Sequence, residues 1–328
     1  MENTKEGVGR GYGKTILIGD QFVLFDTPAV LAAIPFETET RVTIRDSGSG
    51  WTLEDNRMEV PGYKAEKAAD QVISFNRMIE VLGIDTEQHP LHIQVGGDLL
   101  AGSGVGASAA ICVSFARACN ELFAMKMGTR EINHIAWEGE FGYHGLPSGV
   151  DNTVSTYGGV IEYKIVDEKK MFERIPMDEP VEVVLGNSGI TSNTASLRGF
   201  LIDQQKEDQA LFDKRLTVIR QQVSALKSAL SGGDLREVGR IMTENHRILI
   251  DMGLSHERLV ELCDLACSLG AYGAKVTGGG RGGYMVAVTP GEDLQDRVAR
   301  AFEERDVPVI RASIGHPPTD PSMGEVLT

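Results

Sequence analysis

Three stretches of this chain hold residue types that could do chemistry. The first is Gly102-Ser-Gly-Val-Gly-Ala-Ser-Ala-Ala110. Glycines at 102, 104 and 106 let a backbone turn tightly and bring N–H groups close to a ligand. The apolar run behind them predicts a helix from about Ser108 to Ala124. A helix start offers unpaired N–H groups and the positive end of its dipole, which suits the oxygens of a di- or triphosphate. The Ser108 hydroxyl is then placed to reach a phosphate-bound Mg²⁺. The same composition also fits a helix start chosen for close packing, so composition alone leaves both readings open. The second stretch brackets a Gly/Pro segment with Glu138, Glu140 and Asp151. One acid is ordinarily a solvated charge; two beside a phosphate-type loop suggest a metal ligand and an acid–base partner. His144 lies between them, and a lone histidine next to a glycine is more often structural than catalytic. The third is Lys275-Val-Thr-Gly-Gly-Gly-Arg-Gly-Gly-Tyr284, which reads as a loop against which a ligand or another backbone packs.

Two familiar phosphate motifs are excluded. Gly13-Lys14-Thr15 looks like the end of a Walker A loop, but the position five before Gly13 is Val8. The strict dinucleotide pattern G-x-G-x-x-G is not met either: counted from Gly102 and Gly104, Ala107 stands where its last glycine would fall.

These segments need elements to hold them. Strands are expected at 15–18, 41–45, 91–95, 181–185, 285–288 and 307–314. A helix is expected over 64–82, with Val72, Phe75, Ile79 and Leu82 on one stripe, and another over 129–140. Residues 144–152 read as turns, and long helices are expected at about 205–230, 235–252 and 255–270, with a last one at 294–304. Runs of strands and runs of helices, without strict alternation, point to an α+β fold. The 328 residues suggest two domains, 1–180 and 181–328.

The net charge of −15 opposes broad attraction to nucleic acid or anionic lipid. The N-terminus lacks an apolar core of the signal-peptide kind, and no apolar run is long enough to span a bilayer, so a cytoplasmic protein is expected. Cys112, Cys119, Cys263 and Cys267 have no zinc-like neighbours and read as reduced, buried thiols.

Together the motifs resemble the GHMP kinases, and within them the mevalonate kinase family. The resemblance rests on GRGYGKTILIGDQFVLFDTPAV (9–30), GGDLLAGSGVGASAA (96–110), EGEFGYHGLPSGVDNTVSTYGG (138–159) and KVTGGGRGGYMVAV (275–288). It implies a two-lobed fold, ribosomal-protein-S5-like at the N-terminus and ferredoxin-like at the C-terminus. It also implies ATP-dependent phosphorylation of mevalonate for isoprenoid precursor synthesis. Gly102, Ser103, Gly104, Val105, Gly106, Ala107 and Ser108 match the loop around the ATP phosphates. Ser108 and Glu140 match the positions that hold Mg²⁺. Asp151 matches the acid beside the reacting alcohol, and Lys14 the lysine paired with it. Asp20, Gln21, Ser148, Thr194 and Gly279 match substrate-side positions. A homodimer follows from the resemblance alone. Asp20-Gln21 stands where mevalonate kinases carry Glu-His, and Asp26 where they carry Gly. Another small alcohol (a sugar, an amino-acid alcohol or another hydroxy acid) and a catalytically silent binding homologue therefore remain alternatives.

Overall fold

The computed structural model describes residues 6–19, 22–190 and 195–316. The chain forms two compact units, each discontinuous in sequence. One joins the chain up to Lys14 to Pro35–Gly158, and the other joins Thr15–Ile34 to Gly159 onward. Strands β1 (Glu6–Ile18) and β2 (Ala29–Ile44) each run from one unit into the other. The two units thus cut the chain differently from a single division at residue 180.

In the first unit, β2 pairs antiparallel with β4 (Leu91–Gly97), and β4 pairs parallel with β3 (Trp51–Asp55). Helices α1 (Tyr63–Leu82), α2 (Ala107–Leu122), α3 (Thr129–His144) and α4 (Val150–Tyr157) complete it. Val42, Ile93 and Val95 from the strands pack with Phe75, Met78, Cys112, Phe115 and Ile135 from the helices.

The glycine-rich lead is strand, where sequence periodicity suggested none before residue 15. A Cβ at Gly7, Gly9 or Gly11 would come within 2.0, 2.0 and 2.2 Å of the carbonyl oxygens of Ala118, Ser114 and Ala110. Two strand residues span about 6.7 Å and four helix residues about 6 Å. Alternate glycines on β1 therefore meet every fourth residue of α2, and the helix backbone lies directly on the strand. In α1 the inward stripe is Gln71, Ser74, Phe75, Met78 and Ile79, while Val72 is 45% exposed, contrary to the expected stripe. Helix α3 runs one turn beyond the expected end at 140, and Asp151 sits in the first turn of a helix rather than in a loop.

In the second unit, β5 (Val160–Val166) pairs with residues 29–32 of β2 and with β6 (Lys169–Arg174). A four-stranded antiparallel sheet follows, from β7 (Val181–Asn187), β8 (Gly273–Val276), β9 (Tyr284–Val288) and β10 (Val309–Ile314). Its order is β10-β7-β9-β8. Numbered within this sheet that is 4-1-3-2, with helices α5 (Ala195–Glu207), α6 (Gln209–Ser231), α7 (Leu235–Asp251) and α8 (Glu257–Ser268) between the first two strands and α9 (Glu292–Glu303) before the last. Such connectivity is the ferredoxin-like pattern, in an α+β chain. Lys227 on α6 reaches Glu162 of β5 at 2.6 Å and also pairs with Glu173 of β6.

The third glycine-rich stretch is the loop of a hairpin, because Gly273–Val276 is already a strand antiparallel to β9. A Cβ on Gly280, at φ +78°, would sit 1.9 Å from the Leu254 carbonyl oxygen, and the His256 N–H donates to the Gly280 carbonyl at 3.0 Å. The expected close backbone approach is therefore present.

Candidate active site

The site is built in the first unit, from β1, the loop before α2, and the ends of α3 and α4. Gly102, Gly104 and Gly106 have φ of 80°, 79° and 83°, a left-handed conformation that glycine adopts at little cost. Helix α2 begins at Ala107 behind Gly106, which supplies no side-chain cap. Its first N–H groups and dipole are thus left for an anion. Ser103 is buried, and its hydroxyl has no protein partner among the described residues. Val105 is buried and its carbonyl accepts from the Lys14 N–H at 2.8 Å, which locks β1 to the loop. A Cβ on Gly106 would lie 2.7 Å from Lys14 Cγ, so only glycine lets the lysine stem pass there.

Lys14 is 4% exposed, and its ammonium lies 3.1 Å from Asp151 Oδ1. The carboxylate is held by the first turn of α4, where the helix dipole favours negative charge. Gly149, at φ 90°, starts that helix, and the Val150 N–H donates to Ser148 Oγ at 3.4 Å. A lysine and an acid more than a hundred residues apart in sequence therefore meet.

Glu140 is 2% exposed, and its Oε1 has no hydrogen-bond partner among the described residues. Burial pushes its carboxyl up to about 7, with Asp151 adding to the rise and His144, Ser108 and Lys14 opposing it. The His144 Nε2 lies 3.8 Å from Glu140 Oε2 and 3.2 Å from Ser108 Oγ. A hydroxyl and a buried carboxylate with an unspent oxygen form a hard-oxygen donor pair, which suits Mg²⁺.

Sequence reasoning missed two supports. Arg57 is 5% exposed; its guanidinium donates to both Asp55 oxygens, at 3.0 and 2.7 Å, and to the Ala107 carbonyl at 3.4 Å. It braces the first residue of α2, beside a cleft walled by Tyr63, Lys64, Lys67 and Ser108. Trp137 donates its indole N–H to the Pro147 carbonyl at 3.0 Å and so holds the segment leading to Ser148 and Asp151. Only the Asp55-x-Arg57 spacing and a tryptophan on the α3 pattern hinted at either. Of the remaining candidates, Gly279 is buried in the β8–β9 hairpin loop of the second unit. In the same unit, Thr277 Oγ1 accepts from the Ile16 N–H at 2.7 Å. Asp20, Gln21 and Thr194 lie outside the described residues.

The chain is similar to known proteins along most of its length. Residues 69–159 match the family model described as GHMP kinases N terminal domain, and 223–307 match GHMP kinases C terminal. Mevalonate kinase of Pyrococcus horikoshii is 31% identical over 309 residues, 88% of this chain and 90% of that protein. The crystal structure of L. major mevalonate kinase in complex with R-mevalonate superposes with a TM-score of 0.90 at 33% identity, covering 95% of this chain and 96% of that one. Lactococcus lactis galactokinase complexed with galactose, at 17% identity and a TM-score of 0.72 over 97% of this chain and 95% of that one, shares the fold alone. No described helix is long and apolar enough to cross a membrane. A phosphate-type loop, a buried lysine on an aspartate and these relatives lead to one conclusion: the chain is an ATP-dependent kinase that belongs to the mevalonate kinase family of GHMP kinases.

Proposed function

We propose that the protein transfers the γ-phosphoryl group of ATP to the primary alcohol of mevalonate, giving 5-phosphomevalonate and ADP. The observation that carries the reading is the Lys14–Asp151 contact of 3.1 Å beside the glycine loop. An alcohol is a weak nucleophile at neutral pH, so it needs a base or cation at its oxygen. Asp151 accepts the hydroxyl hydrogen bond and orients the oxygen for in-line attack. Lys14 offsets negative charge as it develops on that oxygen and on the transferring group. Loop 102–108 and the start of α2 hold the phosphate oxygens by backbone N–H groups. Ser108 and Glu140 are the residues that would hold Mg²⁺, which when bound neutralises phosphate charge. Ser148, with Asp20, Gln21, Thr194 and Gly279, is assigned to the alcohol side. A division into domains 1–180 and 181–328 and a homodimeric state complete the reading.

A coupled ADP-release assay across mevalonate, phosphomevalonate, homoserine and galactose tests it. Mevalonate is expected to give the highest kcat/KM. A higher value with another alcohol would reassign the acceptor, and no turnover with any of them would leave a binding protein.

A further inference from the structure

The proposed cation site contains one residue that the hard-oxygen pair does not explain. His144 is the last residue of α3, and Glu140 lies four positions earlier. Positions i and i+4 share a helix face, so both side chains point to the Ser108 side. The ring nitrogen Nε2 is 3.2 Å from Ser108 Oγ and 3.8 Å from Glu140 Oε2. Neighbouring donors around a six-coordinate divalent ion with bonds of about 2.1 Å stand roughly 3 Å apart. The imidazole thus sits where a third donor of the same ion would sit. Glu140 is 2% exposed with Oε1 unpartnered among the described residues, so the carboxyl keeps an oxygen that no protein group uses. No three His, Cys, Asp or Glu side chains gather into a metal cage among the described residues. An ion held here would therefore take one hydroxyl, one carboxylate and one imidazole, with phosphate oxygens and water completing the shell.

We propose that His144 is a third protein donor at the Ser108–Glu140 cation site and gives that site a preference for borderline divalent cations such as Co²⁺ over Mg²⁺. Mg²⁺ favours oxygen, whereas an imidazole nitrogen suits Co²⁺, Ni²⁺ and Zn²⁺. The inference rests on the assignment of Ser108 and Glu140 to the cation.

The test uses the metal-free full chain with ADP, titrated with Co²⁺ and with Mg²⁺ by calorimetry, with visible absorption followed for Co²⁺. The native protein is expected to bind Co²⁺ more tightly than Mg²⁺. His144→Gln is expected to weaken Co²⁺ by about tenfold or more, in line with the loss seen when groups around a metal site are removed, and to shift the Co²⁺ bands. Its effect on Mg²⁺ is expected to stay within about threefold, since oxygen donors dominate there. Equal Co²⁺ affinity in the native protein and the variant overturns the proposal. So do equal losses for both ions, which would make the ring a mere support. Glu140→Gln must also weaken Co²⁺; if it does not, the ion binds elsewhere and the assignment fails. None of these failures touches Mg²⁺-supported ADP release from mevalonate, which tests the function separately.

Discussion

A lysine that is 4% exposed needs an anion, and Asp151 Oδ1 provides one at 3.1 Å. In the proposed reading the pair gives the alcohol oxygen both a hydrogen-bond acceptor and a positive charge. Asp151→Asn keeps the shape and removes the charge. Mevalonate-dependent turnover is expected to fall about 10²- to 10⁴-fold, the usual worth of a positioned acid–base group. The ATP dissociation constant should stay nearly unchanged, because in the proposed reading the nucleotide is held by the backbone of 102–108. Stopped-flow turnover and nucleotide titration check the two halves, and near-normal turnover in the variant would remove the acid from the chemistry. Glu140 and His144 differ in how readable they were. Glu140 stood out as an acid near a Gly/Pro segment, whereas the value of His144 depends on a helix that continues one turn further than periodicity suggested.

The element that decides the site is the β1–α2 contact. Glycines at 7, 9 and 11 remove the side chains that would otherwise keep the strand away from the helix backbone. That closeness carries the Lys14 stem past Gly106 and ties its N–H to Val105. Gly9→Ala would put a Cβ 2.0 Å from the Ser114 carbonyl oxygen, with helix backbone on the far side that cannot step aside. Urea unfolding is expected to show a loss of at least about 3 kcal/mol, at the upper end of overpacking costs. A loss under about 1 kcal/mol would mean that the helix and strand part easily. On sequence alone these glycines belong to a polar, Gly-rich lead with no expected strand, since alternation of glycine with larger residues carries no hydrophobic period. Asp151 illustrates the converse: its Pro-Ser-Gly neighbours looked like a turn, yet Gly149 in a left-handed conformation starts a helix directly behind them.

At the scale of the molecule, pH acts on a group in the second unit. His246 on α7 is 4% exposed and bonds Ser255 Oγ at 2.9 Å. Burial first, and then the nearby Lys275 charge, hold its imidazole down at about 4. A folded value below the unfolded value of about 6.5 means that the unfolded chain binds the proton first. The stability it contributes is fully present above about pH 6.5 and is lost as pH falls toward 4, by about 3 kcal/mol in total. In His246→Gln, urea unfolding between pH 7 and pH 4 should lose about 2 to 3 kcal/mol less than the native protein does. Identical losses would mean that the histidine is already charged when folded.

The chain by itself determined the α+β class and the family, and it singled out the glycine loop, Lys14, Ser108, Glu140 and Asp151 as site candidates, because each is written in local residue order or in a motif long enough to be specific. The family resemblance already paired Lys14 with Asp151 and tertiary structure supplied the contact; tertiary structure alone decided that Glu140 is buried with an unspent oxygen and that 15–34 packs with the chain beyond 159. The physical reason is distance along the chain. Helix and strand periods arise between residues a few positions apart, whereas a buried charge, its partner and the glycine that makes room for them are chosen by segments a hundred residues apart, whose proximity no local pattern records.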